Sequence, residues 1–192
     1  MNRLIIAVTG TPGTGKTVLA KRLHKRLSGS SVVEINDIVN RYRLYSKKDK
    51  FGTKIVNLGN LNKKLNAELR KNKNRIIIVA GHLAPELSFR CNLAIVTRCG
   101  LVELARRLEK RKYKREKAAE NIVAEAVNYC GAKIRKRCKS TFEVETAEEK
   151  SRIINYIASL SKDMHAKKPK SREINKIADL ETLVRDGNRY GL

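Results

Sequence analysis

An α/β fold, with five parallel strands forming a doubly wound sheet between two layers of helices, is predicted by three observations. Strand-like apolar runs at Leu4–Val8, Ser31–Ile35, Arg75–Val79, Leu93–Thr97 and Thr141–Glu145 recur along the chain with helical patterns between them. The run Ile76-Ile-Ile-Val79 shows no polar alternation, as expected of a central parallel strand buried on both faces. The first strand passes straight into a glycine-rich turn and then a helical stripe, an order that right-handed crossovers build into a parallel sheet.

The first strand, Leu4–Val8, is followed by Gly10-Thr-Pro-Gly-Thr-Gly-Lys16-Thr17, a full match to G-x-x-x-x-G-K-[ST]. Glycines let successive backbone N–H groups converge on one anion, the Lys16 ammonium adds a fixed charge for the outer phosphates, and the Thr17 hydroxyl is a ligand for Mg2+. Val18, Leu19, Leu23 and Leu27 supply an apolar helical stripe behind it, opposed by Lys21, Arg22, Lys25 and Arg26. Strand, loop and helix in this order predict a nucleotide-handling protein of the P-loop type.

Further helices follow from spacing. Leu58, Leu61, Leu65 and Leu69 repeat at three and four residues, as do Leu101, Leu104, Ala105 and Leu108, and then Ile122, Val123, Ala126, Val127 and Cys130. Beyond the last strand, Ser161–Arg172 is basic, polar and interrupted by Pro169, and is expected to leave the core. A weak stripe at Ile174, Ile177, Leu180, Leu183 and Val184 predicts a short helix in the tail. The expected organisation is one domain over residues 1–160 and a basic extension over 161–192.

Length and composition narrow the function classes. The chain has 192 residues, enough for one domain with a sizeable core. No run approaches the roughly 18 apolar residues that cross a bilayer, so no membrane partner is expected and a cytoplasmic location is. The cysteines Cys91, Cys99, Cys130 and Cys138 are spaced too widely for a zinc knuckle and read as reduced thiols.

The net charge of +24 is far larger than nucleotide phosphates require, and the 43 bases recur in every segment. A polyanion, RNA or a ribonucleoprotein, is the expected partner. A lysine-rich thermophile composition is the alternative, but it raises Glu alongside Lys, and here 19 acids face 43 bases. No RNA-binding module and few aromatics are visible, so backbone or shape contact is expected over base reading.

A later segment separates kinase from hydrolase or switch. Arg107-Leu-Glu-Lys-Arg111-Lys-Tyr113-Lys-Arg-Glu-Lys117-Ala-Ala-Glu120-Asn121-Ile-Val-Ala-Glu125 resembles the lid segment R-L-x-x-R-G-Y-x-x-x-K-x-x-x-N-I-x-x-E of the isoenzyme-six, nuclear-type adenylate kinase family of eukaryotes and archaea. The G-T-P-G-x-G-K-T phosphate loop and Gly81-His82 after the third strand resemble the same family, and the likeness covers roughly residues 1–160.

The resemblance implies an adenylate or broad nucleoside monophosphate kinase with ATPase activity, using ATP and Mg2+, with AMP or another monophosphate as acceptor. Gly13, Thr14, Gly15, Lys16, Thr17 and Val18 would line the ATP phosphates, and Arg111 would reach over them from a lid at about 110–120. Asp37 and Arg41 would serve the monophosphate in a flap at about 34–57. Thr17 would hold the metal. His82, at the carboxyl end of a central strand, is either a catalytic residue that orients water and phosphate or a structural one. The family acts in small-subunit ribosome assembly and rRNA maturation, bound to a platform ribosomal protein.

Three positions depart from the family pattern: Ala80 stands where an aspartate resembles a Walker B acid, Asn57 where the flap is acidic, and Lys112 where the lid has glycine. The loss of the acid at Ala80 weakens metal positioning unless Asp37 or a water chain substitutes. Two further readings follow: an ATP-gated binding factor for RNA and ribosomal protein with weak turnover, and a small-molecule kinase for a nucleoside or shikimate-like acceptor. The second leaves the lid and the charge unexplained.

Overall fold

The computed structural model describes residues 3–48, 54–138 and 140–166. The chain runs β1 (Leu4–Thr9), α1 (Lys16–Arg26), β2 (Ser30–Glu34), α2 (Ile35–Arg41), β3 (Tyr45–Lys48), β4 (Lys54–Val56), α3 (Leu58–Lys71) and β5 (Ile76–Ala80). It continues through β6 (Leu93–Thr97), α4 (Leu101–Lys110), α5 (Arg115–Ala126), α6 (Tyr129–Arg135), β7 (Thr141–Val144) and α7 (Ala147–Ala166). Five strands form one parallel sheet in the order β2-β5-β1-β6-β7, as the apolar runs predicted.

Residues of β1 alternate between two cores. Leu4, Ile6 and Val8 pack with α1 and α7 through Leu19, Leu23, Ile153 and Ile157. Ile5 points the other way, among Ile35 and Ile38 of α2 and Leu61, Leu65 and Leu69 of α3. Both faces are therefore apolar, which is why β1 and β5 lack alternation and are buried along their whole length. The connection from β1 leads past β5 to β2, while that from β5 leads past β1 to β6. The chain thus leaves these two central strands in opposite directions, and a crevice opens at their carboxyl ends.

Several expectations are corrected. Val18 is 64% exposed and lies outside the α1 stripe, which Leu19, Ala20 and Leu23 form. Leu58 and Leu101 are also exposed, leaving Leu61, Leu65 and Leu69, and Leu104 and Leu108, as the buried positions. The expected continuous stripe from Ile122 to Cys130 is broken. Asn128 takes φ +50 between α5 and α6, and Val123 and Val127 are 61% and 63% exposed. The buried face of α5 carries Asn121 and Glu125 instead.

Within the predicted flap lies a small antiparallel pair, β3 with β4, which short polar sequence concealed. At the other end the domain does not stop at 160. Helix α7 runs to Ala166, and Ser161 is buried with its hydroxyl donating to the Ala158 carbonyl. The amphipathic stripe expected at Ile174–Val184 lies outside the described residues.

Candidate active site

The phosphate loop, residues 10–17, occupies the crevice beyond β1. Gly10, Gly13 and Gly15 take φ of +139, +99 and +98, a region that side chains with a Cβ rarely enter. Two of them are also sterically fixed. A Cβ on Gly10 would collide with the Thr97 carbonyl, and one on Gly13 would meet Leu104 Cδ1 at 2.7 Å. Gly15 caps α1 without side-chain help, so the first N–H groups of that helix remain available to an anion.

Threonines brace the loop. Thr14 Oγ1 donates to the Thr11 carbonyl at 2.9 Å and lies 2.6 Å from Thr97 Oγ1 on β6. Thr97 Oγ1 donates to the Thr9 carbonyl at 3.2 Å, and Thr9 Oγ1 donates to the Gly81 carbonyl at 3.0 Å. Thr14 thus supports the loop from behind, and its hydroxyl is engaged with protein groups. The sequence motif did not reveal this brace, because Thr97 reads as an ordinary strand residue and Thr9 lies outside the motif.

Lys16 Nζ donates to the Thr11 carbonyl at 2.9 Å. Burial, with Arg111 nearby, lowers the Lys16 ammonium from 10.5 to about 8, against the opposing pull of Cys130 and Glu125. Lys16, Thr17, His82 and Arg111 line one cavity, together with Glu34 and Tyr113. Three segments far apart in sequence therefore meet at the ends of β1, β5 and α4. A second groove on the other side of Gly13 is lined by Gly15, Val18, Arg22, Arg107 and Arg111. Val18 is exposed because it borders this groove, and Gly13 and Arg111 border both cavities.

His82 is half-buried and its ring makes no hydrogen bond among the described residues. Burial first, then Lys16 and Lys117, lowers its pKa to about 4, so the imidazole facing the cavity is neutral near pH 7. Arg111 ends α4, and Lys112 turns the chain with φ +57. Arg107 anchors the same turn of helix by donating to the Gly13 carbonyl at 3.3 Å.

The two flap residues sit elsewhere. Asp37 is exposed on α2 and does not line the cavity, whereas Glu34, at the end of β2, does. Arg41 is held by Glu68 of α3 at 3.0 Å, which also accepts from the Tyr42 hydroxyl. Asn57 caps α3 by accepting from the Asn60 N–H at 2.9 Å. Its amide carbonyl fills a structural role there that a carboxylate could also perform. No cluster of His, Cys, Asp or Glu among the described residues could hold a metal through protein side chains alone.

A five-stranded parallel sheet with a P-loop, a cationic lid and a small flap defines a phosphotransferase fold of the nucleoside monophosphate kinase type. Solved structures with this fold include TT1252 from Thermus thermophilus, with TM-score 0.60 and 19% identity over 83% of this chain and 98% of that one. Shikimate kinase from Bacteroides thetaiotaomicron aligns with TM-score 0.54 and 14% identity over 82% of this chain and 97% of its own. The AAA domain family matches residues 6–128. A Methanosarcina mazei protein named "Putative adenylate kinase" is 35% identical over 80% of this chain and 88% of its own. A protein of the same name from Methanocaldococcus jannaschii is 40% identical over 65% of this chain and 68% of its own. The chain belongs to this archaeal adenylate kinase family within the AAA-domain P-loop proteins. No described helix is long and apolar enough to cross a membrane.

Proposed function

We propose that the chain is an adenylate kinase of broad monophosphate specificity, transferring the γ-phosphoryl of ATP to AMP, with accompanying ATPase activity. The convergence of Lys16, Thr17, His82 and Arg111 on one cavity carries this reading. Phosphoryl transfer asks a protein for positioning and charge neutralisation more than for covalent chemistry. Lys16 and the α1 N–H groups would hold the donor phosphates, while Arg111 closes over them from the lid and excludes water. Neutral His82 would accept from, or donate to, the acceptor phosphate or a water without adding charge. Mg2+ would be held by the Thr17 hydroxyl and would neutralise phosphate charge; Thr17 is exposed to the cavity and suits that hard cation. Asp37 and Arg41, on the flap side, would meet the monophosphate after closure, which requires Arg41 to leave Glu68.

The +24 charge supports a second element of the proposal: action in small ribosomal subunit assembly and rRNA maturation, in contact with rRNA and a platform ribosomal protein. Alanine at position 80 favours one competing reading, an ATP-gated RNA- and protein-binding factor with weak turnover. ADP formation from Mg-ATP, with and without AMP, separates them. The kinase reading expects AMP-dependent ADP that Lys16→Ala abolishes; tight ATP binding without AMP-dependent product would establish the binding factor. The ribosomal role expects affinity for small-subunit rRNA that falls steeply with salt, and an affinity indifferent to salt would reject it.

A further inference from the structure

We infer that Glu34 supplies the carboxylate that secures the divalent cation's water shell in this site, displaced by one strand from the position that Ala80 occupies. The inference rests on the phosphotransfer reading above and deepens it.

Glu34 ends β2 and is the register partner of Ala80 on β5. Paired residues of adjacent parallel strands lie about 4.8 Å apart and share a sheet face. Val32, two residues earlier on β2, packs against the core that contains Ile78 and Ala80. Period-two alternation therefore places Glu34 on the α1 face, where the phosphate loop lies. The side chain lines the cavity shared by Lys16, Thr17, His82 and Arg111.

Two observations show that Glu34 is not spent on structure. It is the N-cap residue of α2, yet its side chain makes no capping hydrogen bond. It also makes no ion pair or other hydrogen bond among the described residues. The remaining charged groups lining the cavity are the cations Lys16 and Arg111, so Glu34 is its one carboxylate among the described residues. A carboxylate facing a bound triphosphate is repelled unless a cation lies between them. A divalent ion on Thr17 provides that cation, and glutamate's extra methylene reaches further across the strand gap than aspartate would. Asp37, the other candidate acid, is exposed and away from the cavity.

The test is a Mn2+ titration followed by electron paramagnetic resonance, with β,γ-imido-ATP present, on the full chain and its variants. Glu34→Gln is expected to weaken Mn2+ in the ternary complex by about tenfold while leaving metal-free nucleotide affinity unchanged or tighter. Adding Ala80→Asp to Glu34→Gln is expected to restore Mn2+ affinity from the neighbouring strand. Unchanged Mn2+ affinity in Glu34→Gln, with nucleotide still bound, would overturn the inference and leave the kinase reading intact. Should Lys16→Ala leave nucleotide affinity unaltered, the phosphate reading itself fails and this assignment with it.

Discussion

Glu125 Oε1 accepts from Arg98 Nε at 2.8 Å, tying α5 to the end of β6. The same oxygen accepts from the Cys99 N–H at 3.0 Å, and the Arg98 guanidinium reaches Glu143 of β7 at 2.8 Å. The Glu125 side chain is only 3% exposed, so its charge is sustained by these partners and by no bulk water. The Glu125→Ala substitution leaves Arg98 half-paired and the Cys99 N–H unsatisfied. Urea denaturation is expected to show a loss of about 3 kcal/mol. Glu125→Gln keeps an acceptor for that N–H and is expected to lose less; equal stability of all three proteins would show the pair to be idle.

The pKa of Lys16, lowered to about 8 by burial, makes nucleotide binding pH-dependent in a defined direction. Above pH 8 the free site holds a largely neutral amine, and a bound triphosphate draws the proton back by stabilising the ammonium. Binding at pH 8.5 is therefore expected to take up a fraction of a proton. Affinity should decline as pH rises beyond 8, by at most about tenfold per unit. Calorimetry in two buffers of different ionisation enthalpy measures the uptake. Lys16→Met should bind weakly and without it, and a native chain with no uptake would contradict the assignment.

The sheet and phosphate loop were legible because periodicity and a contiguous motif are local signals. Ile76–Val79 announced a strand buried on both faces, and Gly10–Thr17 announced its own geometry. The Thr14–Thr97 brace and the Glu34–Ala80 register were not legible, since each joins residues dozens of positions apart. The inward face of α5 departs from the sequence pattern for a different reason. Hydrophobic pattern pointed to Val123 and Val127, but the polar network around Arg98 turns Glu125 inward, and Asn121 on the same face donates to the Lys117 carbonyl. The β3–β4 pair escaped because Tyr45-Ser-Lys-Lys48 carries no apolar alternation.

His82 is held neutral by burial and by the charges of Lys16 and Lys117, with its pKa near 4. An unfolded chain protonates this imidazole below its ordinary value of 6.5, whereas the folded one does not until about pH 4. Its contribution is therefore a loss of stability as pH falls from 6.5 to 4, with no further loss below. His82→Gln should flatten that part of the stability curve. Proton NMR of the native ring should show no titration between pH 5 and 8, and a midpoint near 6.5 would disprove the burial argument.

Lys112 adopts φ +57 between α4 and α5, the position where the resembled lid motif carries glycine. A side chain with a Cβ costs roughly 1–2 kcal/mol in that left-handed region, partly offset because glycine loses more chain entropy on folding. The turn is fixed regardless, since the Lys112 N–H donates to the Glu109 carbonyl at 2.7 Å and the Tyr113 N–H to that of Leu108 at 3.1 Å. Lys112→Gly is therefore expected to stabilise the chain by about 0.5–1 kcal/mol. Urea denaturation of the two proteins measures the difference. A Lys112→Gly variant less stable than the native chain would mean that the lysine side chain makes up the backbone cost through contacts of its own.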